Sequence, residues 1–215
     1  MPQAPSSAGA ACVCSWCGAR LKNIRSLQRH RGLSRRGHLL RCRISGTSGR
    51  KRPTGRFLDP HKDHYETPLW AWEELLSAIP SLRRQRLWDP FFCKGATAGH
   101  WKALRVPRFV HSKGDFFRQV RTTTHDVVVT NPPFSTKQLV LDVLVAGGKP
   151  FVVLVRTSVL FTKWFRMLVP KFGLILPSRQ VDFLGVRGQK LSFDSVFVCV
   201  RCGPTGGLHA CKRTA

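Results

Sequence analysis

Three valines in succession, Val127, Val128 and Val129, stand between Asp126 and Thr130, and the chain then meets Asn131-Pro132-Pro133-Phe134. β-Branched residues favour extended backbone. A run without polar alternation is what a strand covered on both faces requires, as in a parallel sheet flanked by helices. The proline pair ends it, because neither ring nitrogen can donate to a ladder. At the end of a buried strand, the Asn131 side chain and the neighbouring carbonyls then stand as acceptors with no competing backbone donor.

The rest of the chain from Phe57 repeats that pattern, with short apolar runs alternating with longer mixed segments. Strands are expected at 86–88, 108–111, 126–130, 150–155, 174–176 and 195–200. Helices are expected at 69–79, 98–104, 135–145 and 160–172, the first with Thr67 as N-cap and Pro68 at its first position. Ser178 to Asp194, with Arg179, Arg187 and Lys190, reads as a basic loop. Such an α/β domain places ligands at the carboxyl ends of its strands, where Asp89-Pro90-Phe91 and Asn131-Pro132-Pro133-Phe134 both fall.

Charge divides the chain. Over its 215 residues 36 Lys and Arg face 11 Asp and Glu, a formal +25, and residues 1–56 hold 13 of the basic residues and no acid. The expected organisation is a basic segment at 1–45, a basic flexible linker at 46–60, the α/β domain at 61–203 and a tail at 204–215. This excess of cations calls for a polyanionic partner. Nucleic acid stands ahead of a membrane, since no stretch is long and apolar enough to span one. The beginning of the chain has neither the charged nor the apolar region of a secretory signal. The eight cysteines are then expected as thiols or metal ligands.

Acceptors aimed at both hydrogens of a planar amino group draw its nitrogen lone pair out of conjugation, and Phe134 offers a face for a flipped base. On this tetrapeptide the chain resembles the S-adenosylmethionine-dependent amino-methyltransferases, particularly the compact phage-type and eukaryotic adenine-N6 DNA methylases. The order of motifs adds to the resemblance. Asp63-His64-Tyr65-Glu66-Thr67-Pro68 is similar to the segment bordering the methionine end of the cofactor. Trp88-Asp89-Pro90-Phe91-Phe92-Cys93-Lys94-Gly95 resembles the cofactor loop, with looser glycine spacing. Gly114-Asp115-Phe116-Phe117 is similar to the loop whose acid accepts from the cofactor's adenine.

The resemblance implies a class I methyltransferase fold, Rossmann-like with a mostly parallel seven-stranded sheet. It implies Asn131, Pro132, Pro133 and Phe134 as catalytic residues. Tyr65, Thr67, Pro68, Asp89, Pro90, Phe91, Gly95, Asp115 and Phe116 are implied to bind S-adenosylmethionine. The strand at 108–111 departs from the family, ending in His111-Ser112 where these folds place an acid for the ribose hydroxyls. The implied reaction is methyl transfer to the N6 amine of adenine in DNA, with RNA or rRNA amino groups as the alternative substrate. A third reading is a non-catalytic nucleic-acid-binding protein on a degenerate methylase fold. In-line attack on a sulfonium methyl demands no metal.

The amino-terminal segment has its own constellation. Cys14-x2-Cys17-x12-His30 reproduces three ligands of a two-Cys two-His zinc finger, with Leu21 and Leu27 at its apolar positions. His38 is the expected fourth ligand of a structural Zn2+, with Cys42 its rival. Lys22, Arg25 and Arg29 decorate the expected finger helix, and Arg50, Lys51 and Arg52 form a basic cluster in the linker. With Arg179 they are the candidate nucleic-acid contacts. A nuclear location follows from these features, with an organelle as the alternative because the acid-free start also suits a transit peptide. Cys199-x2-Cys202 with His209 and Cys211 can be written as a second metal site, but a thiol at 199 in an apolar strand is ordinary core.

Overall fold

Alternate residues of the expected strands are buried on opposite sides of one sheet. In the computed structural model, which describes residues 63, 65–168, 172–185, 188, 190–204 and 207–211 together with the backbone at 12–13 and 20–21, Val127, Val129, Val152 and Leu154 pack with Trp72, Leu75 and Trp101 on one face. Val128, Val153 and Val155 pack with Val140, Leu144 and Phe165 on the other. Both faces are therefore dry, which explains why the runs lack alternation.

In chain order the described elements are β1 (Cys12–Val13), β2 (Arg20–Leu21), β3 (Tyr65–Glu66), α1 (Leu69–Ala78), β4 (Leu87–Trp88), α2 (Ala96–Ala103), β5 (Phe109–Val110), α3 (Phe116–Gln119), β6 (Val127–Thr130), α4 (Lys137–Gly147), β7 (Phe151–Arg156), α5 (Lys163–Leu168), β8 (Gly173–Leu176), β9 (Val181–Gly185), β10 (Lys190–Phe193), β11 (Ser195–Val200) and β12 (Leu208–Ala210). Short 3-10 turns occupy Pro80–Arg84 and Thr157–Phe161.

Seven strands form the main sheet in the order β12-β8-β11-β7-β6-β4-β5. All neighbours are parallel except β11, which runs antiparallel to both β7 and β8. This is the mostly parallel seven-stranded α/β sheet expected of the Rossmann-like methyltransferase class. From β4 the chain moves outward to β5 and then returns to the other side of β4 as β6. The order reverses there, so the carboxyl ends of β4 and β6 flank a topological switch point.

Several local expectations need correction. Pro68, with φ −66° and ψ 151°, precedes α1 and Leu69 is its first residue; Thr67 caps nothing, and its Oγ1 is buried without a partner. The helix expected over 160–172, interrupted near Pro170, divides earlier, into a 3-10 turn followed by α5, because the Thr162 hydroxyl accepts from the Phe165 N–H at 3.3 Å and opens a new helix. Ser178–Asp194 is not a loop. It holds the hairpin β9–β10, which extends through β3 into a separate three-stranded sheet. Buried Glu74 anchors its start by accepting from the backbone N–H of Ser178 at 2.9 Å and from the Ser178 hydroxyl. The edge strand β12 comes from the segment read as tail.

Candidate active site

Two loops face each other across the switch point. The carboxyl end of β4 delivers Asp89, 3% exposed, and the end of β6 delivers Thr130 and Asn131. The Thr130 hydroxyl donates to Asp89 Oδ1 at 2.5 Å, and the Phe91 N–H approaches the same oxygen at 3.4 Å. Burial pushes the Asp89 carboxyl up to about 6, against the lowering effects of His111 and the Thr130 hydroxyl. His111 follows β5 directly and contacts Asp89. Its Nδ1 lies 3.0 Å from the Asp89 carbonyl oxygen and 3.4 Å from Oδ2, and its Nε2 is buried without a partner. The position where the family resemblance implies an acid thus holds an imidazole occupied with Asp89.

The Asn131-Pro132-Pro133-Phe134 turn is clamped from a distance in sequence. The Asp63 carboxylate accepts the Phe134 N–H at 2.9 Å and the Ser135 N–H at 2.7 Å. Lys137 Nζ donates to the Phe134 carbonyl at 2.7 Å, and burial lowers the pKa of that ammonium, with Asp63 opposing. Asn131 Nδ2 donates to the Tyr65 carbonyl at 3.4 Å, which orients the amide and leaves Oδ1 buried and unpartnered. Asn131, Asp63, Tyr65, Phe91, Cys93 and Phe134 line one cleft with the two prolines.

The walls of that cleft are aromatic. Tyr65 stacks on Phe134 with centroids 5.4 Å apart, and Phe183 and Phe193 of the β9–β10 hairpin meet the Phe134 ring edge-on at 6.1 and 5.2 Å. The Arg156 guanidinium lies 4.3 Å over Phe193. One face of Phe134 is therefore already covered by Tyr65.

Of the residues singled out by sequence, Asn131 to Phe134, Tyr65 and Phe91 converge on this cleft, with Asp89 and Pro90 in the adjoining loop. Gly95 lies at φ +85° before α2, and its backbone N–H donates to the Phe92 carbonyl at 2.6 Å. Thr67 and Pro68 follow β3. Asp115 caps α3 by accepting from the Phe117 N–H at 2.9 Å, and Arg118 Nε lies 3.6 Å from its other oxygen. Phe116 packs between Trp88 and Phe91, with centroids 5.8 and 5.4 Å away, and is core rather than cleft. Arg179 is exposed, with its guanidinium 4.4 Å over the Trp70 ring.

Cys14, Cys17, His30, His38, Lys22, Arg25, Arg29, Arg50, Lys51 and Arg52 lie outside the described residues. Among the described residues no cluster of His, Cys, Asp or Glu is placed to hold a metal ion. Cys202 and Cys211 have thiols pushed up by burial to about 11 and donate to the carbonyls of Phe151 and Glu74.

Lys137, Phe183 and Phe193 had no assigned role from sequence, and Asp63 was read only as part of the segment bordering the methionine end of the cofactor. An acid two residues before the Tyr65 strand, and alternation at Val181, Phe183 and Gly185, were the available signals.

No protein-family model matches the chain, and no curated protein matches it. Solved structures similar to it include TrmN from Thermus thermophilus, with a TM-score of 0.33 and 19% identity, over 59% of this chain and 47% of that one. Another is the T. thermophilus 16S rRNA N2 methyltransferase RsmC, solved with AdoMet and guanosine, with a TM-score of 0.35 and 14% identity, over 69% of this chain and 45% of that one. The chain spans about half the length of each.

Proposed function

We propose that the protein transfers a methyl group from S-adenosylmethionine to the exocyclic N6 amine of adenine in DNA. The observation that carries this reading is the Asn131 amide, tied through Nδ2 to Tyr65 and presenting a buried, unpartnered Oδ1 in an aromatic cleft. A buried acceptor without a donor is unfavourable by about 1–3 kcal/mol, so the site is prepared for an incoming N–H. An amino group donating to Oδ1 loses conjugation with its ring and gains nucleophilicity. The prolines supply carbonyls and no donor, so nothing in the turn competes for Oδ1. Phe91 and the stacked pair Tyr65–Phe134 line the cleft beside the amide and give it an aromatic surface suited to a base.

The cleft also fits the reactive end of the cofactor. A sulfonium cation is favoured beside aromatic faces, and Tyr65, Phe91 and Phe134 are such a set. When bound, the cofactor supplies an electrophilic methyl group. Asp89, Pro90 and Phe91 would hold its methionine side with Tyr65, Thr67 and Pro68. Gly95 and Asp115 belong to the loops that would border the rest, where Asp115 retains free lone pairs on a side chain 36% exposed, and Phe116, buried beneath them, would support them by packing. The work of the protein is orientation: Asp63 and Lys137 fix the Phe134 peptide, and Tyr65 fixes the Asn131 amide.

The amino-terminal segment is read as a zinc-binding finger that adds affinity for DNA. β1 and β2 pair Cys12 with Leu21 and Val13 with Arg20, and in sequence Cys14-x2-Cys17 stands between these two paired strands, the order in which a finger with His30 and His38 needs them. Lys22, Arg25, Arg29 and the Arg50-Lys51-Arg52 cluster supply phosphate contacts and, in the nucleus, an import signal. The full chain is expected to hold one zinc per molecule and Cys17→Ser to hold none, by metal analysis.

Nucleoside mass spectrometry of DNA and RNA incubated with the full chain and S-adenosylmethionine tests the reaction. N6-methyladenine in DNA is the expected product. Methylated bases in RNA alone would move the substrate to RNA, and no product with no cofactor binding by calorimetry would overturn the reading in favour of a non-catalytic nucleic-acid-binding protein.

A further inference from the structure

The end of the sheet opposite the cleft has a different chemistry. The 3-10 turn Pro80–Arg84 ends in Arg83 and Arg84, and β4 and β5 begin beside it. The Arg83 guanidinium donates to the Leu104 carbonyl, and the Arg108 guanidinium donates to the Arg84 carbonyl. These two contacts bring Arg83, Arg84, Arg105 and Arg108 into one cluster. Arg84, Arg105 and Arg108 are exposed, as is neighbouring Lys102. Among the described residues none of the four arginines has a carboxylate within ion-pair distance. Asp126, at the same end, accepts the backbone N–H of Arg86 at 2.7 Å.

Arg105 carries a second signal. It follows α2 with φ +54°, and the Val106 N–H bonds the Trp101 carbonyl at 2.9 Å across it. This is the left-handed position after a helix where glycine is the ordinary residue, and any side chain there is strained. Stability alone would place glycine at 105. A cation stands there instead, added to a cluster whose members repel one another unless an anion lies among them.

We propose that Arg83, Arg84, Arg105 and Arg108 form a second contact surface for the phosphate backbone of nucleic acid, at the amino ends of β4 and β5. A lipid surface is the other polyanion of this kind, but interfacial binding needs apolar side chains to insert. Among the described residues, the exposed large apolar ones, Leu69, Phe161, Leu184, Leu191 and Leu208, belong to other elements. Arg86 and Asp89 stand three residues apart, so the patch and the cleft are separated by roughly 10 Å along the strand direction and face opposite ways. A nucleic acid engaged at both must wrap the β4–β5 edge or present two segments. The inference shares with the methylation reading only its partner, and because binding is measured without turnover, either can fail without the other.

The test uses the full chain and a random-sequence DNA duplex, with affinity read by fluorescence anisotropy between about 50 and 300 mM salt. Arg84→Gln with Arg105→Gly removes two exposed cations and leaves the carbonyl contacts of Arg83 and Arg108 in place. The slope of log affinity against log salt is expected to fall by about 2, at about 0.9 per lost phosphate contact, with an unchanged or raised melting temperature. Arg105→Lys should keep the parental slope. An unchanged slope in the double variant would overturn the proposal. So would a loss of binding to phosphatidylserine vesicles with binding to the duplex intact.

Discussion

The two ends of the main sheet are built on opposite principles. At the carboxyl ends of β4 and β6 the polar atoms are acceptors: a buried carboxylate at Asp89, a buried amide oxygen at Asn131, and the Asp63 carboxylate holding two N–H groups. At the amino ends of β4 and β5 the exposed polar groups are mostly cations, Arg84, Arg105, Arg108 and Lys102, with the Asp126 carboxylate at the same end. The first end is buried and geometrically fixed, which is what positioning a reacting amine requires. The second is exposed and has only charge to offer, which gives affinity without sequence discrimination. A strongly basic chain can therefore keep a cleft in which cations are few. The ammonium nearest the turn, Lys137, is tied to a carbonyl and has its pKa lowered by burial.

The sharpest way to break this contrast is Asn131→Ala. If the buried Oδ1 holds the target amine, methyl transfer should fall by on the order of a hundredfold or more. Cofactor affinity and duplex affinity should stay near the parental values, because neither depends on that oxygen. Full turnover in this variant would make the proline turn a strand terminator and nothing else. The second test concerns Asp89. Its folded pKa of about 6 exceeds the ordinary 3.8, so the native state keeps a proton that the unfolded chain releases. Stability should fall as pH rises from about 4 to about 6 and level above that, by about 3 kcal/mol from this group. Asp89→Asn removes the effect and keeps an acceptor for Thr130. The melting temperature of the variant minus that of the parent should therefore grow across pH 4–6 and be constant above pH 7. A pH-independent difference would mean that Asp89 is not desolvated.

Asp63 is a smaller and more selective probe. Its two charge-assisted hydrogen bonds to the turn are worth about 1.5–3 kcal/mol each before solvent exposure discounts them. Asp63→Ala should lower kcat about tenfold, with the cofactor Kd little changed. Equal losses in kcat and in cofactor affinity would show that Asp63 supports the whole cleft and not the turn.

What was legible in sequence followed from local physics. Val127 to Val129 announce a two-sided buried strand, and the prolines mark its end, so Asn131 was found without any knowledge of the fold. Asp89 was found in the same way from Trp88-Asp89-Pro90. The Asp63 clamp was not legible because it bridges 71 and 72 residues, and nothing local says which backbone N–H groups a carboxylate will meet. The β9–β10 hairpin was hidden by its own charge: Arg179 and Lys190 suggested a solvated loop, while its pairing depends on a two-residue strand at Tyr65–Glu66. β12 consists of three exposed residues, Leu208 to Ala210, with no apolar period to read. Thr67 shows the opposite failure, since a Thr-Pro pair is a sound capping signal that burial of the hydroxyl overrode.

The smallest expected effect sharpens the comparison from the basic end. Arg105 and Gly148 occupy equivalent places, each the left-handed residue just after a helix, at φ +54° after α2 and φ +72° after α4. If backbone strain alone decided what stands there, the two would be interchangeable in kind. Around Gly148 a side chain would find open space, with only the Arg201 guanidinium 3.9 Å from an added Cβ, so sterics do not explain the glycine. Arg105→Gly should then raise stability by about 0.5–1 kcal/mol, or about 2 °C in Tm, by removing the left-handed penalty. Gly148→Arg should lower stability by a similar amount. Differential scanning calorimetry of both variants reads the pair. A gain at 105 that accompanies weaker duplex binding means the arginine is kept against the preference of the backbone for the sake of its charge. A loss of stability at 105 would mean that the side chain holds the turn after α2, and the amino end of the sheet would lose the strained residue that marks it as a contact surface.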